Sequence, residues 1–499
     1  MEPPGQRSAK AAVIGLDCVP PRLIFDQWRS DLPHLSALMA RGLWGPLRSC
    51  HPPITVPAWA SMMSGKDPGQ LGVYGFRNRR AYTYDDLAIA NSTFITHDRV
   101  WDILSRNGKR VTLLGVPQTY PPQPVNGCVV TCFLTPSRSV YTHPADLQPE
   151  IEEIAGGYVF DVDDFRTADK RALLERIYEK THKHFRVARH LLTTKPWDFF
   201  MMVEMGPDRI HHGFWKYFDP DHTQHPGDNE FADAIHDYYV YLDGEVGELL
   251  ALSGPDALVL VVSDHGAQPM DGGICINEWL IQHGYLTLHA YPKAPTPVTA
   301  AMIDWSATRA WGDGGYCGRL FVNVKGREPQ GIVEPAAYER FRNELIAGIA
   351  AIADPAGRNL GSRAHRPEEL YRETTGIPPD LIVYFGDLRW RSISSVGFNS
   401  MYSFDNDIGP DGANHDWDGV CIMRDGRCDD RGRRLDGLQI MDVAPTILRH
   451  FGVPIPRDMQ GRAIDAARCD DLHGSQRRVE KREQDGGRHR ALTARSDVA

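Results

Sequence analysis

Short continuous apolar runs alternate along this chain with longer stretches in which apolar residues recur every three or four positions. The runs at 11–16, 110–116, 127–133 and 197–204 predict strands, and the run at 257–262, without a polar face, predicts a strand buried on both sides. The helical spacing falls at 33–41, stopped by Gly42, at 97–107, stopped at Gly108, and at 171–192, 231–252 and 442–450, the last closed by Gly452. Strand and helix in turn predict an α/β fold, a three-layer α/β/α sandwich around a central, mostly parallel sheet.

The alternation loosens from 282 to 395. Here 291–298 is proline-rich and reads as a loop, 319–324 and 380–385 read as strands, and 334–351 reads as a helix. This stretch is expected to be an inserted cap region with some strands returning to the sheet. The main domain is then 11–281 with 396–466. The remainder, 467–499, is rich in Arg, Asp, Glu, Gly and Gln and is predicted to be disordered.

Composition narrows the partners. The chain has 499 residues, 42% apolar and 24% charged, with a formal net charge of −10, so no basic surface argues for a nucleic-acid polymer. Nine cysteines, an odd number without Cys-x-x-Cys pairs, favour a reduced chain over a disulfide framework. No apolar run reaches membrane-spanning length. A cytoplasmic protein without a membrane partner is expected.

Five clusters carry candidate chemistry. The 257–262 strand ends in Ser263-Asp264-His265-Gly266, a carboxylate and an imidazole at the strand end where open α/β sheets bind ligands. Asp17 stands in the same place after the first strand, where a turn or helix-cap role is the plainer alternative. Thr55 opens Thr55-Val-Pro-Ala-Trp-Ala-Ser61, a run able to start a helix. Its hydroxyl is an N-cap, a nucleophile or both, with helix N–H groups ready for phosphoryl oxygens. Asp208 and His212 are four apart and share a helical face, with His211 as competitor. His415 lies in a Gly- and Asn-rich loop at a strand edge, beside Asp416 and Asp418, which read as turn formers. Three Asp, three His and a hydroxyl divide into two sites of N and O ligands. That donor set suits zinc, with manganese or iron as alternatives. Two ions about 4 Å apart clamp the entering and leaving oxygens of an in-line displacement at phosphorus.

In this order the motifs resemble the alkaline phosphatase superfamily, in its type I phosphodiesterase/nucleotide pyrophosphatase branch, and within it the group of predicted phosphohydrolases and phosphomutases. The resemblance runs from about Ala11 to Ile464. It rests on Gly15-Leu16-Asp17, the Thr55 block, Ser263-Asp264-His265-Gly266, the stretch from Asn323 to Gly331, Asp442-Val-Ala-Pro-Thr446 and Gly452-Val-Pro-Ile-Pro456. It implies that Asp208, His212 and His415 bind one metal. Asp17, Asp264, His265 and the Thr55 oxygen would bind the other. Thr55 would be the nucleophile, forming a phosphothreonyl intermediate that water then hydrolyses. Asn78 or Arg77 would contact substrate phosphate. Two departures stand out: Cys18 where a glycine often follows the first ligand, and Leu71 where a histidine often precedes Gly72.

The expected activity is metal-dependent hydrolysis of a phosphoric ester in a small phosphorylated molecule. A phosphomutase, returning the phosphoryl group to substrate, is the alternative, as is a phosphomonoesterase or phosphonate ester hydrolase. A sulfatase is disfavoured, because Cys50-His-Pro-Pro lacks the Cys/Ser-x-Pro-x-Arg signature. Trp305, Trp311, Tyr316 and Trp390 read as core aromatics of the inserted region, with nucleobase stacking as the rival. Arg309, Arg319 and Lys325 read as phosphate contacts or ordinary surface charges.

Overall fold

Residues 9–404, 406–428 and 432–465 are described by a computed structural model. The predicted tail, 467–499, lies outside them.

Five parallel strands form the middle of the molecule, in the order Leu258–Val262, Ala11–Leu16, Phe199–Glu204, Val111–Leu114 and Gly127–Val130. Their register fixes the rest. Gly15 stands level with Val203 on one side and Val262 on the other. Two residues further along, Asp17 and Asp264 therefore leave the sheet side by side. On the Leu258–Val262 side the sheet continues through Asp418–Asp425, antiparallel, and then Leu43–Arg48.

Alternating side chains feed two cores, as the period of a strand requires. Ala12, Ile14, Phe200, Met202 and Val261 pack against the helices Pro33–Arg41, Lys170–Thr194, Gly206–Phe218 and Ala234–Ser253. Val13, Leu113, Met201, Leu260 and Val262 pack on the other face, against Thr55–Ser64, Val100–Arg106 and Val443–His450. This is the expected three-layer α/β arrangement. Gly15 is required by close approach: a Cβ there would lie 2.5 Å from the Trp59 ring and 2.8 Å from Val203.

The 282–395 stretch departs from expectation in one respect. Its strands do not return to the central sheet among the described residues. Ala310–Asp313, Gly318–Val322, Leu381–Tyr384 and Arg363–His365 form a separate antiparallel sheet in that order. The reason is a core of their own. Leu320, Val322, Leu381 and Val383 bury against Phe341, Leu345 and Ile349 of the Tyr338–Ala350 helix. Trp390–Ile393 pairs instead with Gly272–Cys275, just beyond the Asp264 loop. No helix among the described residues is long and apolar enough to cross a membrane.

Candidate metal centre

The ends of the central strands and three further elements bring the seven sequence-predicted residues together. Asp17 and Asp264-His265 follow their strands directly. Glu204 ends the strand between Ala11–Leu16 and Val111–Leu114, and the Gly206–Phe218 helix starts just after it, carrying Asp208 and His212 on one turn. His415 sits not in a loop but in a short strand, Ala413–Asp416, antiparallel to Gly266–Pro269 with His415 level with Ala267. That pairing stacks the His265 and His415 rings at 3.8 Å and 19°.

Two sets of donors result. The ligating atoms of Asp208, His212 and His415 lie within 4.8 Å of one another, and so do those of Asp17, Asp264 and His265; Cys18, His265 and His415 also meet this limit and bridge the two sets. The first two sets hold the residues that the resemblance groups together, Thr55 apart. His211, the competitor, turns away and pairs through Nε2 with the Tyr239 hydroxyl at 3.0 Å.

Each histidine is oriented through Nδ1. His265 Nδ1 faces the Gly266 carbonyl at 3.1 Å, His415 Nδ1 the Pro53 carbonyl at 2.8 Å, and His212 Nδ1 the Asp411 carboxylate at 2.7 Å. A ring that donates Nδ1–H presents Nε2 as a bare lone pair. His212 Nε2, His415 Nε2, Asp17 Oδ1, Asp208 Oδ1 and Asp264 Oδ2 are all buried without a hydrogen-bond partner. Five orphaned donors of ligand type converging in one place fit divalent cations, since buried polar atoms are otherwise satisfied.

The other oxygens are held. Asp17 Oδ2 accepts the Trp59 indole N–H at 2.8 Å, Asp264 Oδ1 accepts the Cys18 N–H at 3.2 Å, and Asp208 Oδ2 takes the Arg209 guanidinium. Cys18 adopts φ +67°, the left-handed region that glycine enters freely, which explains why glycine suits this position. The cysteine is accommodated there, its thiol donating to the Gly266 carbonyl at 3.4 Å.

Electrostatics point the same way. Burial, and then the Asp208 charge, push Asp17 up to about 8. Burial, and then Asp17, hold Asp264 well above the usual carboxylate range. Burial also opposes the Asp208 charge, but His212 and Arg209 outweigh it and hold that carboxyl well down. Burial, then His415, keeps His265 neutral, and burial does the same for His415. Three carboxylates in one dry space repel one another unless cations stand between them.

Thr55 is the first residue of its helix and is buried. The N-cap is Ile54, which makes no side-chain cap, so the Thr55 hydroxyl is not spent on capping. Its Oγ1 lies 3.4 Å from His265 Nε2. The N–H groups of Thr55 and Val56 precede the first intrahelical bond, and Pro57 has none to offer.

Asn78 and Arg77 are not joined to these seven by any hydrogen bond among the described residues. Asn78 is buried and closes a local turn, accepting from Tyr74 N at 2.7 Å and donating to the Gly75 carbonyl at 2.9 Å. Arg77 is exposed, and its carbonyl takes the Arg319 guanidinium at 2.5 Å. Trp305, Trp311 and Trp390 belong to the inserted core. Tyr316 instead stacks on His415 at 3.6 Å. Arg309 and Lys325 pair with Glu344 and Glu334.

The profile of the family described as type I phosphodiesterase / nucleotide pyrophosphatase matches residues 11–411. The chain belongs to this family. Its members are metal-dependent hydrolases of phosphoric esters, and this family member is an enzyme of that class. Human ectonucleotide pyrophosphatase/phosphodiesterase 5 has a similar fold, with TM-score 0.53 and 12% identity over 91% of this chain and 97% of that one. The murine protein of the same name gives TM-score 0.50 and 11% identity over 90% and 96%. No curated protein sequence matches the chain.

Sequence reasoning missed Trp59, Asp411 and the two carbonyls that orient histidines. Trp59 had a local signal, standing one turn after Thr55. Asp411 had none, being 199 residues from His212.

Proposed function

We propose that this family member hydrolyses a phosphoric ester of a small molecule, such as a phosphodiester or a pyrophosphate, through a phosphothreonyl intermediate on Thr55. The observation that carries the reading is the Thr55 hydroxyl, uncapped at a helix N-terminus and 3.4 Å from His265 Nε2 within the cluster of orphaned donors. Two divalent ions, zinc by donor chemistry, would be held by Asp208, His212 and His415 and by Asp17, Asp264, His265 and Thr55. When bound, they supply charge neutralisation at phosphorus and ease loss of the hydroxyl proton.

The chain's own residues do the rest. Thr55 Oγ attacks phosphorus and the ester oxygen leaves. The Thr55 and Val56 N–H groups and the helix dipole hold the phosphoryl oxygens as charge builds on them. Trp59 and Cys18 N–H keep Asp17 and Asp264 facing inward. Burial of all seven residues keeps bulk water off the ligating atoms and the Thr55 hydroxyl. The nucleotide pyrophosphatase names of the family and of the human and murine structures support nucleotide-like substrates. Seven buried cysteines with free thiols among the described residues support a reducing, cytoplasmic setting.

The test is a rapid acid quench of the zinc-loaded enzyme with an aryl phosphodiester, followed by peptide mass spectrometry. A threonine adduct on Thr55 that keeps the substrate's second ester group, and ¹⁸O from labelled water in the released phosphomonoester, are expected. Turnover by Thr55→Ala at the wild-type rate would overturn the reading, and unlabelled phosphate returned to substrate would make the enzyme a mutase.

A further inference from the structure

We propose that Asp411 is the positioning residue for His212, and that Arg391 of the 282–395 region joins Arg166 and Asn406 in holding it in place. The inference rests on the two-metal reading above and concerns only the ion held by Asp208, His212 and His415.

Among the three candidate ligand histidines, His212 alone is backed by a carboxylate. His265 and His415 donate to neutral carbonyls, whereas His212 Nδ1 stands 2.7 Å from Asp411 Oδ1. A carboxylate behind an imidazole fixes its tautomer and ring angle and makes the other nitrogen a stronger donor. Here it commits His212 Nε2 to the side facing Asp208 Oδ1, 3.3 Å away, with both atoms otherwise unpartnered.

Asp411 is itself fully gripped. Its Oδ2 accepts Arg166 Nε at 2.9 Å, Arg391 Nη1 at 3.4 Å and Asn406 Nδ2 at 3.5 Å. These three partners come from three separate segments. Arg391 lies in the inserted region, and so does Tyr316. The Tyr316 ring lies flat on His415 at 3.6 Å and 5.3 Å from the His212 ring. The Tyr316 hydroxyl takes Arg166 Nη2 at 3.0 Å, which closes the layer. The insertion is thereby coupled to the metal centre without offering a ligand. Two guanidiniums on one carboxylate oxygen hold Asp411 still while Oδ1 takes the imidazole and the Ala413 N–H at 3.3 Å.

The test measures zinc affinity of the full chain by chelator competition, in Asp411→Asn, Asp411→Ala and Arg391→Met. An Asp264→Ala background isolates the Asp208 ion. Roughly 10- to 100-fold weaker binding of that ion is expected for Asp411→Ala, less for Asp411→Asn, which still accepts from Nδ1–H, and a smaller loss for Arg391→Met. The other ion should bind as before. Unchanged affinity, or equal loss of both ions, overturns the proposal. Should the Asp411 variants not fold, ¹⁵N-histidine spectra of the zinc-loaded wild type decide: a protonated Nδ1 at His212 supports it and the opposite tautomer overturns it. A wild type that binds no divalent ion overturns it together with the two-metal reading. A threonine intermediate missing from an enzyme that binds two ions overturns only the catalytic reading.

Discussion

Trp59 donates its indole N–H to Asp17 Oδ2 across 2.8 Å, and it stands one helical turn after Thr55. One helix thus carries the proposed nucleophile and the group that aims a proposed metal ligand of the same site. Trp59→Phe keeps most of the ring volume and removes the donor. Metal affinity or kcat/KM should fall roughly 10- to 100-fold, as for other partners of ligands, with the fold intact by circular dichroism.

Gly15 makes room for that indole. A Gly15→Ala methyl would meet the Trp59 ring at 2.5 Å and Val203 at 2.8 Å. Overpacking of this kind costs about 1–3 kcal/mol. Denaturant unfolding should show this loss, and zinc affinity should fall with it, because the ring that must move is the one bonded to Asp17.

Thr55→Ser preserves the hydroxyl and should retain turnover. Thr55→Val preserves shape without it and should lose roughly a thousandfold or more in kcat, with zinc still bound through Asp17, Asp264 and His265. Steady-state assays on an aryl phosphodiester, with bound zinc measured in parallel, separate lost chemistry from lost metal.

Removing the metal should cost stability as well as activity. Ligands that bind only the folded state stabilise it by about 2.7 kcal/mol at a hundredfold excess over Kd. Chelator-treated enzyme should melt lower by scanning calorimetry, and added zinc should restore both the transition and the activity.

Acid sensitivity is predicted at Glu204, which is buried between Lys180 Nζ at 2.8 Å and His184 Nδ1 at 2.7 Å. Burial alone would raise its carboxyl, but Lys180 and then His184 bring it down from 4.5 to about 2. A carboxyl depressed in the fold contributes stability above its unfolded value and loses it as pH falls from about 4.5 towards 2. Burial likewise holds His184 below 6.5, so the unfolded chain takes up its proton first and stability also drops as pH falls through that value. Glu204→Gln should be less stable at pH 7 by a few kcal/mol and show a shallower acid limb in pH-dependent unfolding.

The chain announces its central strands because each is apolar on both faces, and Ala11–Leu16 and Leu258–Val262 fall almost where the runs begin and end. Asp208 and His212 were legible because four residues make one turn. The 310–313, 318–322 and 381–384 strands were less so, since an apolar strand does not say which sheet it joins. They found a core against Tyr338–Ala350 and stayed there.

By itself, the sequence determined the layers of this protein, the strand ends that bear Asp17 and Asp264-His265, and the residue types able to hold metal. Those depend on local period and on donor chemistry, which a single segment carries. Only the tertiary structure decided that Gly15 stands level with Val203 and Val262, that His415 stacks on His265, and that Asp411 stands behind His212. Such relations join residues up to hundreds of positions apart. Strand register and packing set them, and no local pattern encodes either.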